Sequence, residues 1–272
     1  RPWTWHIYTN DFNYSKEKEM NGLTKEHNWQ NATIMAMASM TAYKNLGAFQ
    51  KQFDPEAVLF DVDGTQVYCW NDGAIACVAF RGTEPTQWSD IKADLKIRRV
   101  KCPTGFVHRG FRDAIDHVWE DVANWLKKMK CQHVFFTGHS LGGALATLAA
   151  SRWNTETTHL YTYGSPRVGG EKFIKSFKTK ERHRFRNNND IVTRVPPEWI
   201  GYKHVSGDGG NFYYFDVDGL PREGFSRGFM FIQWVKGTWR GLMQNKTWDA
   251  FQDHSMGTYY RLCREKMVED VQ

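Results

Sequence analysis

The stretch Gly138-His139-Ser140-Leu141-Gly142 fits Gly-x-Ser-x-Gly, and its flanks decide how it is read. Before it, His133-Val134-Phe135-Phe136-Thr137 is a short apolar run of β-formers, which predicts a buried strand. After it, Gly143-Ala144-Leu145-Ala146-Thr147-Leu148-Ala149-Ala150 is small and helix-prone. Strand, glycine-flanked serine, helix is the order a nucleophile elbow requires, because the turn holds the serine in a strained conformation. Side chains at Gly138 and Gly142 would collide with the neighbouring strand and helix. The Leu141 amide, at the start of the new helix, points toward whatever Ser140 attacks. The bland alternative is a glycine-rich turn that matches by chance, and the correct flanks on both sides argue against it.

A serine hydroxyl is a poor nucleophile until a base takes its proton, and that base must itself be oriented by a third group. Around this kind of elbow the partners follow in the order Ser, acid, His. Of the ten histidines, His183, His204 and His254 lie well downstream of Ser140 and outside the 157–163 strand region. Asp190 sits where the alternating run 182–189 becomes a loop closed by Pro196-Pro197, at the strand end where active sites of such sheets gather. Asp208, Asp216, Asp218, Asp249 and Asp253 compete, but 208–218 reads as glycine-rich turns. With Asp190 as the acid, His183 falls too early. His204 lies in an extended segment where a satisfied structural histidine is the plain reading, whereas His254 lies on the loop entering a final helix. His254 is therefore the favoured base.

The chain at this point resembles the class 3 lipases, the family of fungal triacylglycerol lipases and their bacterial and plant relatives. The resemblance runs through Phe80-Arg81-Gly82-Thr83 with Trp88 and Asp94-Leu95, then Val107-His108-Arg109-Gly110-Phe111, then Gly138 to Ala146. It continues in Tyr161-Thr162-Tyr163-Gly164-Ser165-Pro166-Arg167-Val168-Gly169, Asn189-Asp190-Ile191-Val192, Pro196-Pro197 and Asp253-His254. These blocks span residue 31 to about residue 262, in the family's order and near its spacing. The resemblance implies an α/β-hydrolase fold with a cover segment, and the same roles for Ser140, Asp190 and His254. It adds Thr83 as an oxyanion donor beside Leu141. The interval between Asp190 and His254 is longer than in the compact fungal members, so the covering elements there do not transfer.

The 272 residues suffice for one domain with a sheet covered on both faces, residues 1–30 forming a peripheral aromatic and polar arm. Hydrophobic content is 41% and mean hydropathy −0.62, and no run approaches the roughly 18 apolar residues of a membrane span. The chain opens at Arg1 without a methionine, which points to removal of an upstream piece, and no signal peptide remains to be read. A secreted or membrane-peripheral location is favoured over a cytoplasmic one. Lysine and arginine exceed acids by 36 to 30, a net charge of +6. That balance suits an anionic surface, although a mixed solvated surface is the plainer reading, and no nucleic-acid module is present. Five cysteines, an odd number, read as buried free thiols rather than a disulfide framework, with Cys69 and Cys77 on opposite sheet faces. No metal or cofactor is expected. The Asp-Val-Asp-Gly units at 61–64 and 216–219 lack later acidic ligands and read as plain turns.

Along the chain, residues 31–43 predict a buried helix with Asn31 near its cap, and 58–68 and 74–80 predict antiparallel strands joined by turns at 61–64 and at Asp72-Gly73. Residues 111–130 carry Ile115, Val118, Trp119, Val122 and Leu126 at helical period. Strand 133–137, helix 141–151, strand 159–163, helix 170–179 and strand 182–187 then alternate, which predicts a mostly parallel α/β sheet. Two segments are candidate covers. Residues 84–94 place Trp88 and Ile91 on one face of a short helix, where the resembling family has its lid; a core-anchored Trp88 is the rival reading. Residues 224–251 place Phe231, Val235, Trp239 and Leu242 at helical spacing among basic residues, as an interfacial helix or an ordinary packed one.

The expected function is hydrolysis of a lipid carboxylic ester at an oil–water or membrane interface, triacylglycerol being the foremost substrate. Phospholipid sn-1, feruloyl and polyester bonds are the alternatives on the same machinery. A non-catalytic lipid-surface binder is the rival from another class.

Overall fold

The computed structural model describes residues 22–83, 98–206, 210–223 and 253–271, with parts of 228–236. An eight-stranded sheet forms the centre, in the order β1-β2-β3-β6-β7-β9-β11-β12. Its antiparallel edge is β1 (Val58–Val62), β2 (Thr65–Asp72) and β3 (Ile75–Phe80). From β3 onward β6 (His133–His139), β7 (Thr158–Tyr163), β9 (Arg182–Asn187) and β11 (Asn211–Phe215) run parallel, and β12 (Pro221–Arg222) closes the far edge antiparallel. A smaller antiparallel sheet, β10-β8-β5-β4, joins Tyr202–Lys203, Gly169–Gly170, Gly105–His108 and Arg99–Cys102.

Burial on both faces explains why β3 and the middle of β6 read as continuous apolar runs. One face packs against α1 (Trp29–Thr41) and α6 (Met256–Val271), through Met35, Met37, Phe135, Tyr163, Phe185, Tyr259 and Cys263. The other packs against α3 (Arg109–Met129), α4 (Leu141–Trp153) and the short α5 (Glu171–Lys175). In α3 the buried positions Phe111, Ile115, Val118, Val122 and Leu126 recur at three and four residues, the stripe a half-buried helix presents. A further helix, α2 (Leu46–Gln52), is capped by the Asn45 side chain, which accepts from the Ala48 amide at 2.9 Å.

Several boundaries differ from those the sequence predicts. Asn28, not Asn31, caps α1, accepting from the Asn31 amide at 2.7 Å. Asn31 instead lies buried, its amide donating to the carbonyls of Thr24 and Glu26 and pinning the entering chain. The β2–β3 turn falls on Gly73-Ala74, with Asp72 paired to Ile75. The expected helix 170–179 is only α5, because the Ser176 hydroxyl turns back to the Phe173 carbonyl at 2.7 Å and ends it. Part of the supposed turn region 208–218 is β11, whose parallel pairing with β9 buries Tyr213 and Phe215 against Phe185. All five cysteines are unpaired, and Cys69 and Cys77 fall in the cores on opposite sheet faces. Of the arm expected at 1–30, residues 29–30 instead open α1, which Asn28 caps, and residues 1–21 lie outside the described residues, as do the cover candidates Trp88, Ile91 and Trp239.

At the starting ends of the parallel strands four histidines gather on one sheet face. His133 on β6 contacts His159 on β7 at 3.1 Å, His183 on β9 donates to Glu181 at 3.0 Å, and His27 stacks on His183 at 3.9 Å between centroids. Burial, then the neighbouring His183, holds His27 down at about 3, and burial holds His159 at about 4. Both are therefore neutral in the native state, while the unfolded chain takes up protons from about pH 6.5 downward. Between about pH 6.5 and 4 the unfolded state binds more protons, so stability falls as pH falls, by up to about 1.4 kcal/mol per pH unit per histidine. Denaturant titrations across this window should show a shallower pH slope for His27→Phe than for the parent. Identical slopes would remove His27 from the acid response.

Candidate active site

Strand β6 ends at His139, α4 begins at Leu141, and the single residue between them has φ 60° and ψ −127°. That conformation is costly for any residue with a side chain and survives only where its surroundings enforce it. The enforcement here is close approach. A Cβ on Gly138 would overlap the Gly142 backbone, and a Cβ on Gly142 would overlap the Phe80 carbonyl on β3. Ser140 is fully buried, and its Oγ has no hydrogen-bond partner among the described residues. The Leu141 and Gly142 amides open the helix and so have no intrahelical acceptor.

Two strands away, β9 ends at Asn187 and a turn delivers Asp190, also fully buried. Asp190 Oδ2 accepts from His254 Nδ1 at 2.9 Å and from the Tyr259 hydroxyl at 2.6 Å, while Oδ1 accepts from the Val192 amide at 2.9 Å. Charge-assisted bonds of this kind fix a carboxylate firmly. The structure thus brings Asp190 and His254 together across 64 residues of chain. Ser140 adjoins them: its amide donates to the Tyr163 carbonyl, and the next residue, Gly164, abuts both Asp190 and His254.

The other histidine candidates are engaged elsewhere. His204 Nε2 donates to the Thr193 carbonyl at 2.8 Å, and burial with nearby arginines holds its imidazole well below the usual histidine range. His183 lies in the cluster at the opposite end of the strands. Asp216 is spent on its own turn, accepting from the amides of Asp218 and Leu220 and pairing with Arg222 at 2.8 Å.

Four supporting residues escape sequence reading. His139 Nε2 donates to the His254 carbonyl at 2.8 Å, and its Nδ1 accepts from the Tyr43 hydroxyl at 2.8 Å. Burial and the adjacent His254 hold His139 well below its ordinary range, so it stays neutral and this one tautomer serves both partners. Asp253, considered above only as a rival acid, clamps the acid loop instead: its carboxylate accepts from Asn188 Nδ2 at 3.1 Å and from the Asn189 amide at 2.9 Å. Tyr259 touches Asp190 from the first turn of α6 and accepts from the Asn187 amide at 2.9 Å. The only sequence signals were adjacency of Asp253 to His254 and of Tyr259 to the helix start; Tyr43 gave none.

Thr83 lies three residues beyond the end of β3. Beside it Gly82 is wedged so tightly that a Cβ would stand 2.6 Å from the His139 carbonyl oxygen. Thr83, Leu141, Leu145, Gln66 and Arg81 line a cavity of about 230 Å³, so the two expected oxyanion residues border one space. Among the described residues no group of three or more His, Cys, Asp or Glu side chains is suited to a metal ion.

This architecture, with a strained serine between β6 and α4 and an acid–histidine pair at the same sheet edge, is that of the α/β-hydrolases. The family model for class 3 lipases matches residues 77–199 of this chain. The secreted mono- and diacylglycerol lipase 1 of Fusarium solani is 40% identical over 126 residues, 43% of this chain and 36% of that protein. The lipase of Rhizomucor miehei is 34% identical over 161 residues, 53% of this chain and 42% of that protein. The chain thus spans less than half the length of these curated relatives. The solved structure of lipase II from Rhizopus niveus superposes with a TM-score of 0.58 at 26% identity, covering 68% of this chain and 80% of that one.

Proposed function

We propose that this protein hydrolyses carboxylic esters of lipids, triacylglycerol foremost, through an acyl intermediate on Ser140. The observation that carries the reading is the 2.9 Å bond from His254 Nδ1 to Asp190, formed at the sheet edge that holds the strained Ser140. With Nδ1–H committed to Asp190, His254 presents the Nε2 lone pair as base. Nε2 takes the Ser140 proton as Oγ attacks the carbonyl carbon, then returns it to the departing alcohol oxygen. Asp190 fixes the tautomer and stabilises the imidazolium, with the Tyr259 hydroxyl and the Val192 amide holding it in place. The amides of Thr83 and Leu141 receive the oxyanion, a role worth about 100- to 1,000-fold per donor. Water repeats the sequence on the acyl-enzyme and releases the fatty acid.

The names of two relatives support a lipid rather than a soluble ester: those from Fusarium solani and Rhizomucor miehei are named lipases, and the former is named as secreted. No helix among the described residues is long and apolar enough to cross a membrane. A secreted or membrane-peripheral site of action follows from this reading.

The test is a chain-length series of p-nitrophenyl esters run beside emulsified triacylglycerol and phosphatidylcholine, with fluorophosphonate labelling of the protein. Single labelling and rising turnover toward long acyl chains are expected. Preference for phosphatidylcholine would redirect the assignment to a phospholipase A1, and preference for feruloyl or polyester substrates to those esterases. No labelling and no turnover would leave a lipid-surface binder.

A further inference from the structure

Trp199 is the most exposed large apolar side chain among the described residues, at 85% of its full accessibility. Tryptophan is a residue that folding normally covers, and an indole left in water is a standing cost. The indole stands on the short helical turn Glu198–Ile200, at the end of the loop that starts at Asp190 and runs through Pro196-Pro197. Arginines lie on its loop before it and against the chain just after it. Arg194 is exposed on the preceding turn and forms no ion pair among the described residues. Arg167 donates to the carbonyls of Arg194 and Pro196, at 2.6 and 3.0 Å, which sets its guanidinium against the same loop. On the other side the exposed Arg99 lies over Phe106, 4.4 Å from the ring centroid, and over Tyr202 at 5.6 Å. Its Nη2 would stand 3.6 Å from a Cβ on Gly201, two residues from Trp199. The carboxylate on the same turn, Glu198, is paired with Lys203 at 2.8 Å, so the local balance remains positive.

We propose that Trp199, Arg99, Arg167 and Arg194 form a docking surface for a membrane that carries anionic phospholipid. An indole between cationic side chains is what the headgroup region of a bilayer accepts: the ring enters the interface and the guanidiniums meet phosphate. One segment of the surface carries the catalytic acid and another lies against it. Arg167 follows Gly164, which abuts Asp190 and His254, and Trp199 ends the loop that Asp190 begins. Docking through this surface therefore places the catalytic edge of the sheet at the membrane. The inference rests on the proposed lipid ester hydrolysis for its purpose, but its test does not.

Vesicles of diether phosphatidylcholine, alone or mixed with diether phosphatidylglycerol, contain no ester to cleave, so co-sedimentation reads binding alone. The parent should partition preferentially to the mixed vesicles, and added salt should reduce that preference. Arg99→Gln with Arg194→Gln should abolish most of the preference, at roughly fivefold per arginine. Trp199→Ala should weaken binding to the mixed vesicles about tenfold, the scale of moving an aromatic ring out of water. Because these side chains are exposed, melting temperatures and turnover of soluble p-nitrophenyl butyrate should match the parent in both variants. Equal, salt-insensitive partition to the two vesicle types would overturn the proposal, as would undiminished binding by Trp199→Ala. A lipid-free dimer that Trp199→Ala dissociates would assign the patch to a second copy instead. Absence of binding by the parent to either vesicle, with its ester turnover intact, would sink the docking surface alone, whereas binding by the parent without turnover would sink the enzyme reading alone.

Discussion

Ser140→Ala should yield a folded protein whose ester turnover is lower by about a millionfold, the order that loss of the nucleophile costs where serine and histidine act as a unit. What remains comes from oxyanion stabilisation and substrate binding. The same substitution should leave the melting temperature unchanged or raise it. Ser140 Oγ is buried without a partner among the described residues, and an unsatisfied buried hydroxyl costs about 1–3 kcal/mol. Alanine keeps the strained backbone but removes that hydroxyl, so stability and activity should move in opposite directions. Paired measurement of turnover and thermal unfolding decides it. A residual rate within about tenfold of the parent would take the nucleophile role away from Ser140.

Gly164→Ala should cost about a thousandfold or more in kcat while leaving KM nearly unchanged. Gly164 has φ +58°, and a Cβ there would stand 2.7 Å from Asp190 Oδ2 and 2.8 Å from His254 Nδ1. Neither neighbour can retreat easily, since Asp190 is held by Tyr259 and Val192 and the His254 carbonyl by His139. The acid and the base must separate, and loss of a correctly oriented tautomer has cost about 10⁴-fold in a serine protease. Substrate binding does not pass through this bond, so the loss belongs in kcat. Gly73→Ala, on the β2–β3 turn, is the control: φ is +62°, yet nothing lies within 4 Å of the new Cβ. It carries backbone strain of about 1–2 kcal/mol and no catalytic penalty. Parent-like kcat in Gly164→Ala would mean that the Asp190–His254 bond does not limit the reaction.

The elbow was legible because several constraints coincide in a few residues. Gly138 and Gly142 are required by backbone overlap, and a β-prone and a helix-prone segment stand on either side. Asp190 and His254 were legible through order along the chain, which removed His183, and through position at a strand end and before a helix. The groups that hold them were not. Tyr43 reaches His139 from 96 residues away, and no local pattern marks such a contact. Asp253 has the same composition signal whether it is an acid, a clamp or a surface charge. The small second sheet was also hidden, because β8 and β10 are short enough to carry no alternation. In β11 the aromatics fill both faces, so no period of two emerges from Phe212, Tyr213 and Tyr214.

The packing of α1 against α6 sets a clock on synthesis. Met35 and Met37 lie in one core with Tyr259 and Cys263, more than two hundred residues later in the chain. At ribosomal speeds of about 5–20 residues per second, roughly ten to forty seconds separate the emergence of these partners. Until α6 arrives, the nascent chain holds the apolar side of α1 without its final cover and Asp190 without Tyr259. The nucleophile elbow is translated more than a hundred residues earlier, but it waits for His254. Under the proposed function, esterolytic competence is thus a late event in the life of each molecule. During translation the immature chain would be a client for chaperones before it could act on any ester around it.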